Sequence, residues 1–401
     1  MRFIDSRISY FGRTTFRNAG VPFGIRRSDR RYHFYAIGKT GMGKSTLLAT
    51  LLRQDIVAGE GFALFDPHGD LVDKVLSFVP DDRLKDLIHL DVPDSTLKWS
   101  FNPFAGVRDD QRALAAAGII ESFRSIWPDD WGPRLEHLLR NVAFTLLEVP
   151  GSTIADIPSL LTDRELRAGF VSQVQNEAVR DFWETEFAHY SLPFRAVIIA
   201  PLQNKIGALL TDPLLNRVLT GSDAALDLRA IMDSGKMLVV NLDKGRIGPG
   251  PASLLGSLLV AHIALSAFTR RDTPEADRRD FFVYLDEFHT FTTLTIATML
   301  SELRKYRVNL VLANQYLSQV DPDVRDAVFG NVGTVVALRL GSDDAAFLAR
   351  EFAPIFEAED FLNLPLYHAY IRLAIAGQSS RPFSAHILSP AEVPDTCKPS
   401  V

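Results

Sequence analysis

Gly38-Lys39-Thr40-Gly41-Met42-Gly43-Lys44-Ser45 fits the spacing G-x-x-x-x-G-K-[ST], with an apolar run before it and a helix-like run, Thr46 to Ile56, after it. Glycine lets a backbone curl until successive amide N–H groups face an anion, and the N-terminus of a following helix adds a favourable dipole. Gly38, Lys39, Thr40, Gly41, Met42, Gly43, Lys44, Ser45 and Thr46 are therefore expected to cradle the phosphates of ATP. Lys44 would reach the β- and γ-phosphates, and the Ser45 hydroxyl would ligate Mg²⁺.

Hydrolysis needs an acidic strand end beside that loop. Phe281-Phe282-Val283-Tyr284-Leu285-Asp286-Glu287 supplies one, an apolar strand ending in two carboxylates. Asp286 is expected to partner Mg²⁺ through water, and Glu287 to orient or deprotonate the attacking water. Val308 to Ala313 is a further apolar strand, ending in Asn314-Gln315, and Gln315 is expected to sense the γ-phosphate or the water, with a plain polar cap as the alternative. In the helix before it, Ile296, Met299, Leu300 and Leu303 form one apolar stripe, with Arg304 at its margin. That margin suits a guanidinium projecting across a subunit boundary towards phosphate, with a plain surface arginine as the alternative. Asp66, in Phe65-Asp66-Pro67-His68, is read equally as a neighbour of the nucleotide site and as a plain turn starter.

The elements that must carry these groups are legible as an alternation of strands and helices at both ends of the chain. Strands are expected at Tyr32 to Ile37, Gly61 to Phe65, Leu87 to Leu90, Met237 to Leu242, Phe281 to Leu285, Asn309 to Ala313 and Thr334 to Leu340. Tyr367 to Leu373 and Pro382 to Leu388 should close as an edge hairpin across Gly377. The fold class is α/β, a RecA-like P-loop core with a mostly parallel sheet and an all-helical insertion. The expected division is residues 1–105 and 226–401 for the core and 106–225 for the insertion, with a clear helix opening at Pro133.

Composition bounds the partners. With 43 basic and 49 acidic residues the net charge is −6, which is no global nucleic-acid signature, so DNA contact would need a local basic track. The stretch Arg2, Arg7, Arg13, Arg17, Arg26, Arg27, Arg30, Arg31 and Lys39, against only Asp5 and Asp29, is the candidate, with a plain solvated face as the alternative. Trp127, Trp131 and Trp183 could stack on bases, although packing is the commoner use. The single cysteine, Cys397, excludes an internal disulfide or a cysteine-rich metal site and fits a cytoplasmic setting. The longest apolar run, Leu254 to Phe268, holds His262 and follows Gly248-Pro249-Gly250-Pro251, so a buried core helix is expected and no membrane span.

Gly38 to Leu48, Gly61 to Leu71, Val283 to Thr290 and Ser301 to Gln319 together resemble the HerA/FtsK-like ATPases, above all the cores of type IV secretion coupling proteins of the TraG/TraD kind. Asn204 to Leu210 and Val240 to Arg246 resemble the same group. The resemblance implies a homo-hexameric ring around DNA, translocation driven by ATP, and partners such as a relaxase or secretion-channel proteins. It matches Lys44, Ser45, Asp286, Glu287 and Gln315 to the roles above and Arg304 to an arginine finger. The family's anchored members begin with transmembrane helices and this sequence has none, so membrane contact would be peripheral, at the inner membrane through partners. Two other readings use the same loop: a secretion ATPase acting on protein, and a nucleotide-switched docking protein.

Overall fold

The computed structural model describes residues 8–393 except 18, 95, 97–98, 222–223 and 292; Arg2, Asp5, Arg7 and Cys397 lie outside them. Among the described residues the main sheet has eleven strands. They are β1 (Ile8–Thr14), β2 (Pro22–Arg26), β3 (Phe34–Ile37), β4 (Gly61–Asp66), β5 (Leu87–Asp91) and β6 (Met237–Asn241), followed by β7 (Phe281–Leu285), β8 (Val308–Asn314), β9 (Thr334–Ala337), β10 (His368–Arg372) and β11 (Phe383–Ile387). Their spatial order is β2-β1-β11-β10-β9-β3-β8-β7-β4-β6-β5. From β9 to β5 every pairing is parallel, and from β9 to β2 every pairing is antiparallel.

The parallel strands are continuous apolar runs because both faces of such a sheet are covered. Phe62, Leu64, Phe282, Tyr284, Val239 and Ala313 are fully buried in one cluster with Leu47, Leu48, Leu51 and Leu52 of the helix Lys44–Val57. Burying one such side chain contributes roughly 1.5–3 kcal/mol, so the helix behind the glycine loop is held by its apolar face. The fold is thus a mostly parallel, RecA-like α/β sheet.

Contacts divide the chain into two compact units. One takes Met1–Asp91, Arg229–Asp243 and Ala267–Val401, and contains the main sheet. The other takes Val92–Leu228 and Lys244–Ser266 and is helical, apart from a short parallel pairing of Trp99–Ser100 with Ala224–Ala225. In it the helix Pro133–Glu148 buries Leu135, Leu138, Leu139, Val142 and Leu146, the stripe read from the sequence. The helix Pro249–Thr269 is long and apolar enough to cross a bilayer, and 78% of its most apolar window is buried inside the protein.

Two expectations are corrected. The β10–β11 pair forms, but it is not an edge: β1 pairs with β11 and β2 with β1, so an N-terminal hairpin closes that side. Phe11, Phe23, Phe34 and Phe383 lock it by edge-to-face contacts at 5.1–5.5 Å. The second correction concerns the basic stretch. Arg30 is 4% exposed, donates to both carboxylate oxygens of Asp55 at 2.5 and 2.9 Å and to Tyr284 Oη at 2.6 Å, and lies 3.6 Å over the Phe282 ring. Arg27 pairs with Asp280 and Glu60, and Arg31 takes Asp280 in a fork. Charges this deep need partners, and the partners come from elements more than 200 residues downstream as well as from nearby. Arg27, Arg30 and Arg31 therefore anchor the N-terminal segment and do not form an open cationic track.

Candidate nucleotide site

Strand order builds the site. The helix Lys44–Val57 carries the chain from β3 over to β4, leaving room for β8 and β7 between them. In a parallel sheet neighbouring strands lie about 4.8 Å apart, and ligands collect at their carboxyl ends. The ends of β3, β8, β7 and β4 hold, in that spatial order, the Gly38–Ser45 loop, Gln315, the Asp286–Glu287 pair and Asp66. Register is tight: Asn314 opposes Ile37, Leu312 opposes Leu285 and Phe65 opposes Leu285.

The loop has the shape of an anion cradle. Gly41 and Gly43 have φ of 76° and 117°, which a side chain would strain, and a Cβ at Gly41 would meet nothing within 4 Å. Thr40, Gly41 and Ser45 are exposed, whereas Gly38, Gly43 and Lys44 are buried, and Lys39, Met42 and Thr46 are half-buried. Lys44 Nζ donates to Gly38 O at 2.6 Å, bridging the loop, and lies 3.8 Å from Glu287 Oε1. Ser45 opens the helix as its second residue, on the solvent side where a cation could reach it.

Glu287 is 4% exposed and has φ of 45°, unusual for a residue with a side chain. Its Oε1 accepts from Gln315 Nε2 at 2.9 Å. Gln315 Oε1 in turn accepts from the Thr40 hydroxyl at 2.7 Å. Glu287 Oε2 is buried without a hydrogen-bond partner, and His289 Nδ1 lies 3.5 Å from it. A buried carboxylate oxygen left in this state has capacity for a water or its proton. Asp286 is 5% exposed; burial, then Asp66 and Glu287, push its carboxyl up to about 7, against the pull of Lys44. Burial likewise lowers the Lys44 pKa, opposed by Glu287 and Asp286. Asp286 and Glu287 share one buried ammonium and Asp66 adds its charge beside Asp286, an excess of negative charge that a divalent cation would neutralise. The residues present fit ATP and Mg²⁺: a glycine-bent loop at a helix N-terminus, the Ser45 hydroxyl, Lys44 and carboxylates whose negative charge Lys44 alone does not balance.

Asn314 and Tyr35 belong to the site without carrying a motif. Asn314, fully buried, accepts from Tyr35 Oη at 2.6 Å and donates to Tyr316 O at 2.7 Å, which fixes the turn that presents Gln315. The signal available was the amide itself at a strand end. Asp66 resolves as a structural group: its carboxylate accepts from the backbone of His68, Leu71 and Val72, at 2.9–3.1 Å, capping the turn into the next helix. Its charge still faces Asp286. Trp183 is buried and donates to Thr145, Trp131 donates to Glu136, and Trp127 lies under Lys205, so all three pack within the helical unit.

Arg304 is not brought to this site. It precedes β8, at the amino edge, whereas the loop and Gln315 follow carboxyl ends. The seven residues of β8, at roughly 3.3 Å each, put about 20 Å between the two edges. The apolar stripe of its helix is as expected, with Ile296, Met299, Leu300 and Leu303 buried and Lys305 exposed.

No protein-family model matches the sequence, and no curated protein matches it. Solved structures do. The bacterial conjugative coupling protein TrwBdeltaN70, in an unbound form, superposes with a TM-score of 0.69 at 19% identity, over 97% of this chain and 90% of that one. The plasmid coupling protein TrwB in complex with ADP and Mg²⁺ gives 0.68 at 20% identity over the same shares. VirB4 of Thermoanaerobacter pseudethanolicus gives 0.57 at 14% identity, covering 96% of each chain. Over nearly its whole length, then, the chain has the P-loop NTPase fold of the conjugative coupling protein TrwB.

Proposed function

We propose that this chain is an ATP-hydrolysing motor of the coupling-protein kind that moves DNA and works as a ring, a homo-hexamer by the family resemblance. The observation that carries the reading is the run of contacts Thr40–Gln315–Glu287–Lys44, which ties loop, sensor amide, base and lysine together. Lys44 would exchange Gly38 O for phosphate oxygens, Glu287 Oε2 would take the proton of the attacking water, and Gln315 would report the γ-phosphate through Thr40. Ser45 and Asp286, the latter through water, would hold Mg²⁺, which supplies charge neutralisation on the phosphate oxygens. Arg304, at the opposite edge of the sheet from its own loop, is suited to act on the nucleotide of a neighbouring subunit. DNA as substrate rests on the coupling-protein fold, an analogy of architecture. A cytoplasmic location, peripheral at the inner membrane through relaxase or secretion-channel partners, follows from the same analogy.

Purified protein should hydrolyse ATP in a Lys44-dependent way and faster with single-stranded or duplex DNA. Lys44-dependent hydrolysis indifferent to both would favour a motor acting on protein. ATP binding with no turnover would favour a nucleotide-switched docking protein, a role in which Glu287 has no use.

A further inference from the structure

Arg304 is exposed, yet it is not a loose surface arginine. Its guanidinium lies 3.6 Å over the Tyr32 ring, and Nη2 donates to Tyr32 Oη at 2.7 Å. One ring therefore fixes both the plane and the direction of the fork, and takes one of its five N–H donors. An unheld arginine would forfeit side-chain entropy on meeting a ligand; this one has been ordered in advance.

Tyr32 is itself anchored from several sides. Its N–H donates to Asp29 O at 3.1 Å and its carbonyl accepts from Gly333 N–H at 2.6 Å. A Cβ on Gly377 would lie 2.5 Å from Tyr32 Oη, and one on Gly333 would lie 2.7 Å from Tyr32 Cβ, so both positions need glycine for the ring to sit there. Asp29, 2% exposed, accepts from the N–H groups of Ala376 and Gly377 and holds the turn that backs the ring. Tyr32 and Arg304 face a concavity of about 740 Å³ whose wall carries both signs of charge, Arg26, Arg31 and Lys305 with Glu275 and Glu302.

We propose that Tyr32 is the positioning residue for Arg304, aiming its remaining donors at phosphate presented by a second copy of this chain. The proposal rests on Arg304 acting across the subunit boundary. Tyr32→Phe keeps the ring and removes the hydrogen bond; Tyr32→Ala removes both. The first should lower kcat about tenfold and the second about a hundredfold. KM for ATP should stay near the wild-type value, and Tyr32→Phe should melt like wild type.

Mixing separates this role from a merely structural one. Tyr32→Ala subunits keep a good Lys44, and Lys44→Ala subunits keep a good Tyr32 and Arg304, so mixed rings should recover activity. Tyr32→Ala mixed with Arg304→Ala should not recover, because both defects lie on the donating side. Arg304→Ala hydrolysing at the wild-type rate would end the trans reading and this proposal together. A silent Arg304→Ala beside Tyr32→Phe with wild-type kcat would overturn the positioning role alone, and so would recovery in the Tyr32→Ala and Arg304→Ala mixture. If Tyr32→Ala fails to fold, Tyr32→Phe decides.

Discussion

Gln315 Nε2 donates to Glu287 Oε1 across 2.9 Å, joining the ends of two adjacent parallel strands, and its other amide atom accepts from Thr40 in the glycine loop. One side chain thus touches both the loop and the group assigned to the water. Gln315→Ala should lower kcat by about 10²-fold, the scale for losing one preorganised donor, with ATP affinity little changed. Pre-steady-state phosphate release and equilibrium binding of a fluorescent ATP analogue together check it; loss of affinity without loss of kcat would reassign Gln315 to binding.

Glu287→Gln should bind Mg·ATP and turn it over about 10² to 10⁴ times more slowly. Lys44→Ala should weaken binding itself, since Lys44 is the buried cation bridging the loop. Equal loss of affinity in both variants would remove the separation between water chemistry and phosphate binding.

Arg30 lies in the core with Asp55 of the loop helix and Tyr284 of β7, so its removal strands a buried carboxylate. Breaking such a pair costs about 3 to 5 kcal/mol. Arg30→Ala should therefore lower the melting temperature of the nucleotide-free protein, whereas exposed Arg26→Ala should leave it unchanged. Equal melting of both variants by calorimetry would contradict the anchoring role.

His33 has a tautomer fixed by its neighbours. Leu310 N–H donates to Nδ1 at 3.0 Å, so the proton sits on Nε2, which donates to Leu300 O at 3.0 Å. Burial pushes its pKa down to about 4, opposed by the bond to Leu300 and aided by the nearby Arg304 charge. The unfolded chain therefore binds the proton first: stability is intact above about pH 6.5 and falls as pH drops towards 4, by up to about 3 kcal/mol. His262, in the helical unit, is also lowered to about 4 by burial and adds to the slope. Melting temperature followed from pH 7 to 4.5 should fall less steeply in His33→Gln; parallel curves would show that His33 does not titrate on unfolding.

Local motifs were legible because their chemistry is local. Gly38–Ser45 and Phe281–Glu287 each carry their pattern in consecutive residues, whereas the order of the strands appears only in the structure. The N-terminal hairpin is not legible in the sequence because Ile8–Thr14 and Pro22–Arg26 mix Arg, Gly and Pro into short strands without a clear apolar alternation. The arginines just after the hairpin find their partners at a distance: Asp280 follows Arg27 by 253 residues. Tyr32 and Asn314 are equally silent in sequence, since a tyrosine before one strand and an amide ending another find their partners only once β3 lies beside β8. Asp66, which spacing left open, is settled by three backbone N–H groups.

Movement along DNA distinguishes a DNA motor from any other ATPase, and displacement measures it directly. Wild-type protein with ATP and Mg²⁺ should strip a triplex-forming strand from duplex DNA, or streptavidin from the end of a biotinylated single strand. Neither Lys44→Ala nor Glu287→Gln should do so, and a non-hydrolysable ATP analogue should not support it. No displacement from either substrate, under conditions where the wild-type protein hydrolyses ATP and binds DNA, would contradict a DNA motor and leave an ATPase that acts on something else.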